Sequence, residues 1–130
     1  FTLNNLFQMK FLFTFFILLN ILCNKADQPP VEYFKGKLVL QGICMNYVIQ
    51  IVEGSVNPTL FEQSWVNPFT NTTYQNVFGL ASTCTFPSSI KEGDEFYFTI
   101  PKNPVAQTCA QCKAYSPIPA KTINIAIYYK

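Results

Sequence analysis

Cys109-Ala-Gln-Cys112 sets two thiols at the spacing where one lowers the pKa of the other and disulfide exchange becomes feasible. Redox pairs of that kind open a helix after a strand. Here Pro117 and Pro119 follow without helical periodicity, so a structural reading ranks above a redox one. Cys44 and Cys84 complete an even set of four. In an exported domain of about one hundred residues that set reads as two disulfides, with three pairings open. A four-thiolate zinc site would want a second CxxC, so no metal is expected.

Glu53, Glu62, Glu92, Asp94 and Glu95 are the carboxylates from which a glycoside-hydrolase pair would be drawn. Three of them flank one turn, where solvated charges normally sit, and no catalytic residue is assigned. The chain contains no His, which excludes Ser/His/Asp and Cys/His nucleophiles, His-ligated zinc and His-ligated haem together. Every basic residue is Lys, so the bidentate guanidinium fork is missing. From residue 24 onward eight Lys face seven Asp plus Glu. The electrostatic drive toward nucleic acid is therefore nearly absent, and neither nucleic acid nor a cofactor is expected. Phe61, Trp65, Phe69 and Tyr74 lie in or beside an Asn-Pro-rich stretch, where they would either stack on a sugar or peptide or cap one end of a barrel. Asn71-Thr72-Thr73 is a formal N-glycosylation acceptor, meaningful only in a eukaryotic secretory route.

With 130 residues, 49% hydrophobic and 12% charged, there is room for one core. Met9-Lys10 followed by the apolar run of residues 11–23 reads as a signal peptide, because a spanning helix needs about 20 apolar residues. Residues 1–8 then stand upstream of the initiator, and residues 24–35 form a polar, Pro-containing tether. The position of Cys23 resembles that in bacterial lipoproteins, where the cysteine after the apolar run carries the lipid. Leu22 and Asn20 depart from that pattern, and cleavage after Cys23 or Ala26 is the alternative. Either route exports the domain to the cell envelope or beyond.

The domain itself, residues 36–130, reads as all-β. Short β-rich runs fall at 37–42 and 46–53, and in the second apolar residues occupy both faces, which implies cover on both sides. Residues 55–73, with Asn-Pro at 57–58 and 67–68, predict a long loop. Strands follow at 74–80, 95–100 and 121–129, the last two with clean period-two alternation. That makes five strands, with at most one helical turn near 87–91.

The run Gly42-Ile43-Cys44, Tyr47-Val48-Ile49, Gly54, then Val77-Phe78, Leu80, then Ile90-Lys91, Gly93-Asp94, Phe96, Phe98, then Cys112 and an Ile-rich last strand resembles small exported Bacteroidetes-type proteins, many of them lipoproteins. The resemblance implies an OB-like five-stranded barrel over roughly residues 36–129. It also implies a cysteine of the first strand segment facing one near the last strand. By position within that pattern, Cys44 is expected to pair with Cys112 and Cys84 with Cys109. Two departures stand: there is little room for the helix usual between the third and fourth strands, and Cys84 and Cys109 are extra. A fold and a location are implied, but no reaction. The expected role is that of a non-enzymatic, monomeric envelope domain that is structural or binds a protein. The alternatives are a carbohydrate- or peptide-binding module using the 55–74 loop and a thiol-disulfide exchange factor using Cys109 and Cys112.

Overall fold

A computed structural model describes residues 29–130. The expected signal peptide, the upstream residues 1–8, Cys23 and the start of the tether lie outside the described residues. Among the described residues no helix is long and apolar enough to cross a membrane.

The fold is all-β. β1 (Phe34–Gln41), β2 (Tyr47–Glu53), β3 (Glu62–Val66), β4 (Thr73–Leu80), β5 (Glu95–Thr99), β6 (Thr122–Ile123) and β7 (Ala126–Tyr128) make one seven-stranded sheet. Its order is β3-β4-β2-β1-β5-β7, with β6 added to β4. All pairings are antiparallel except β4 with β6. β1 starts two residues before the expected domain boundary, because Phe34 is buried and pairs with Phe98.

Period-two alternation places the core. Phe34, Gly36 and Leu38 of β1 point inward, while Lys35, Lys37 and Val39 are half-buried on the other side. Leu38, Ile49, Phe78 and Phe98 are fully enclosed, and the Phe98 ring lies 5.6 Å from Phe34, 5.9 Å from Phe78 and 6.2 Å from Phe96. Tilted and edge-on rings at these separations add to the stabilisation from apolar burial. Phe86, edge-on to both Phe96 and Tyr47, closes one end of the cluster.

The two-faced burial expected for β2 is present at Val48 and Ile49, both with no exposed surface. Ile49 belongs to the main core. Val48 pairs with Gly79 and so shares its face, and a Cβ on Gly79 would lie 2.9 Å from Ile118. The segment around the buried Pro117 and Pro119 therefore covers the outer side of the sheet at this point.

Several expectations need correction. The sheet has seven strands, not the five expected of an OB-like barrel, and it is not closed. Residues 55–73 are not a single loop, since β3 forms within them and pairs with β4 from Glu62–Val77 to Val66–Thr73. The strand expected over 121–129 is split into β6 and β7. At the split, Ser82 Oγ donates to the Ile125 carbonyl and accepts from its N–H, both at 2.9 Å, so a side chain occupies the place of a neighbouring strand. The helical turn near 87–91 reduces to one bond from Ile90 N–H to the Pro87 carbonyl. Single 3-10 turns occur instead at Ile43–Met45, Pro58–Leu60 and Thr83–Thr85.

Candidate functional site

Two disulfides fasten the long segment between β5 and β6. Cys44, in the turn between β1 and β2, is bonded to Cys112, with Cα atoms 5.1 Å apart. Cys84, in the turn after β4, is bonded to Cys109, with Cα atoms 5.5 Å apart. The CxxC spacing is thus shared between two bridges and is not a dithiol of its own. Disulfides of this kind are the mark of a protein that folds in an oxidising compartment outside the cytoplasm.

The segment adds its own anchors. The Gln107 side-chain carbonyl accepts from Cys84 N–H at 2.7 Å, and Asn46 Nδ2 donates to the Ala114 carbonyl at 3.1 Å. Hydrogen bonds and bridges therefore hold in place a stretch with no strand or helix between Thr99 and Thr122.

Between this segment, the turn after β4 and the strand β7 lies a groove of about 230 Å3. Its lining is mainly apolar, including Pro87, Pro101, Pro104, Val105, Ile127 and Tyr129, with the amides of Gln107 and Asn124 among the polar groups. Val105 is 68% exposed and Tyr129 is 77% exposed, so apolar surface is presented at the rim. Among the described residues β7 ends the strand path, and no strand of the sheet pairs with its edge away from β5. The sequence reading missed this groove. Its walls come from three separate stretches, residues 82–87, 101–107 and 124–129, whose approach depends on the Cys84–Cys109 bridge and on the split of the last strand.

The aromatic residues singled out from the sequence do not form one site. Trp65 and Tyr74 face each other across β3 and β4, with ring centroids 5.8 Å apart, and both are half-buried. Phe61 packs against the core. Phe69, 70% exposed at the β3–β4 turn, meets Tyr115 edge-on at 6.1 Å, a contact that the sequence did not suggest. That turn is built on Asn67, whose buried side chain accepts from Phe69 N–H, and on Asn71 in a left-handed conformation at φ 56°.

The carboxylates are dispersed. Glu92 accepts from the Gln41 N–H and Asp94 from the Lys91 N–H, which fixes the turn before β5. Glu53 and Glu95 both face Lys35, at 3.5 and 2.6 Å. The hydrogen bond with Glu95 raises the Lys35 pKa, and the same bond lowers that of Glu95. On the same outer surface the Tyr33 and Tyr128 ring centroids lie 4.1 Å apart, and the hydrogen bond that the Tyr33 hydroxyl donates to Tyr128 raises its pKa. Among the described residues no group of three or more His, Cys, Asp or Glu is placed to hold a metal.

Compared with known proteins, the chain matches no family model, no curated sequence and no solved structure.

Proposed function

We propose that this chain is an exported, non-enzymatic envelope domain, tethered through a lipid on Cys23, that binds an extended peptide segment of a partner protein along β7. The observation that carries the reading is the apolar groove beside an unpaired strand edge. An added strand would bond to the β7 backbone while alternate side chains enter the space between Pro104, Val105 and Tyr129. Among the described residues the lining offers no carboxylate, amine or thiol, which suits recognition better than proton transfer.

An OB-like barrel is part of the same reading. What supports it is the pairing sequence β1–β2–β4–β6, then β7–β5–β1, which returns to its start through one chain segment. In that description β3 is an added hairpin strand and the groove is the place where the closing strand parts from β4.

The test is equilibrium binding of a pentapeptide of alternating valine and threonine to the purified domain. Val105→Asp should weaken it roughly tenfold, since loss of one valine contact is worth about 1.5 kcal/mol. Equal binding by wild type and variant would overturn the site. A carbohydrate reading is favoured by one observation, the half-exposed Trp65–Tyr74 pair, and short oligosaccharides that quench Trp65 fluorescence would support it instead.

A further inference from the structure

The two bridges place their loop-side sulfurs three residues apart, on Cys109 and Cys112, both exposed. Their partners Cys44 and Cys84 belong to turns on the body of the sheet. A thiol freed on either loop cysteine is therefore close in sequence to the sulfur of the other bridge, on a stretch with no regular secondary structure to restrain it.

The surroundings of each bridge favour the same exchange. Cys84 Sγ accepts from Cys109 N–H and from Gln111 Nε2, both at 3.2 Å. Donors aimed at a sulfur favour its thiolate and make it a better leaving group. At the other bridge, Cys44 and Met45 are consecutive residues held in the left-handed region, at φ 56° and 57°. Releasing Cys44 from Cys112 allows that turn to relax.

We propose that the four cysteines form a disulfide switch, in which two-electron reduction moves the bond to Cys109–Cys112 and frees both body cysteines. A dithiol reductant opens Cys44–Cys112, being oxidised to its own disulfide while both sulfurs gain a proton. The Cys112 thiolate then attacks Cys109 Sγ. The Cys109–Cys112 bond forms, the Cys84–Cys109 bond breaks, and Cys84 leaves as a thiolate that takes up the proton Cys112 had lost. If Cys84–Cys109 opens first, the Cys109 thiolate attacks Cys112 and releases Cys44, giving the same product. The segment that walls the groove then loses both covalent ties to the sheet. This consequence for the groove rests on the peptide-binding reading, whereas the exchange itself does not.

The experiment is treatment of the full chain with one equivalent of dithiothreitol at neutral pH, acid quenching, alkylation with N-ethylmaleimide and peptide mapping of each cysteine. The expected main two-electron product carries the alkyl group on Cys44 and Cys84 and keeps Cys109 linked to Cys112. Partly reduced molecules that retain one original bridge with the other pair alkylated, and no Cys109–Cys112 link, would overturn the switch. Gln111→Leu should slow formation of the linked form roughly twofold to threefold, because a poorer leaving thiol reacts more slowly. An unchanged rate would remove the part assigned to Gln111.

Discussion

Ser82 has a role out of proportion to its size. Its buried hydroxyl alone serves the N–H and the carbonyl of Ile125 at the point where the last strand breaks. Ser82→Ala leaves two backbone groups without that partner beside a core residue. The cost should be about 1–3 kcal/mol, read as a lower denaturant midpoint with an unchanged slope. Gly42 is constrained in another way: a Cβ there would fall 2.5 Å from the Asn46 carbonyl oxygen and 2.6 Å from Ser116 Oγ. Gly42→Ala must displace the turn that carries Cys44, and about 1–3 kcal/mol of destabilisation in thermal or urea melts is expected. The Lys35–Glu95 pair sets a pH window. Glu95 has a lowered folded pKa, so its contribution is present above the unfolded carboxylate pKa of about 4.3 and is lost as pH falls through the folded value. Lys35 has a raised folded pKa, so its contribution is present below the unfolded value of about 10.4 and is lost as pH rises through the folded one. Melts across pH should show a plateau between, and Lys35→Met should flatten the acid-side fall. A variant whose profile parallels the wild type would show that the pair carries no such linkage.

At the level of elements, legibility followed the source of each strand's stability. β5 was plain in the sequence because Phe96 and Phe98 alternate with Glu95, Tyr97 and Thr99, and a pattern of that kind follows from one buried face. β2 and β4 were legible for similar reasons. β3 was not, because Glu62-Gln63-Ser64 carries no apolar alternation and Asn-Pro steps stand on both sides; its order comes from pairing with β4. The split of the last strand was equally invisible, since period two runs unbroken through Ile123, Ile125 and Ile127, and the interruption is imposed by Ser82 from 43 residues away. The aromatic loop expected as a site became a hairpin whose rings divide among the core, a cross-strand pair and a contact with Tyr115. Phe98 is the element-level test of the core. Phe98→Ala should cost about 3–5 kcal/mol, since its ring touches the aromatic cluster on several sides. A loss below about 1 kcal/mol would mean that the cluster repacks freely.

For the molecule as a whole, the cysteine pattern was the most informative part of the sequence, and the expected pairing of Cys44 with Cys112 and Cys84 with Cys109 is the one present. The bridges span sequence separations of 68 and 25 residues and meet on one segment. By chain entropy they restrain the unfolded state by roughly 4 kcal/mol each, so full reduction should lower the unfolding midpoint sharply. They also build the groove, which no single stretch of sequence encodes. The central claim, that the unpaired edge of β7 and this groove receive an extended peptide, is tested most directly by amide shift mapping of the 15N-labelled domain. Titration with the valine–threonine pentapeptide should move the amide resonances of residues 126–129 and 105–107 and leave β3 unchanged. Shifts confined to Trp65 and Tyr74, or no shifts at any concentration, would contradict it.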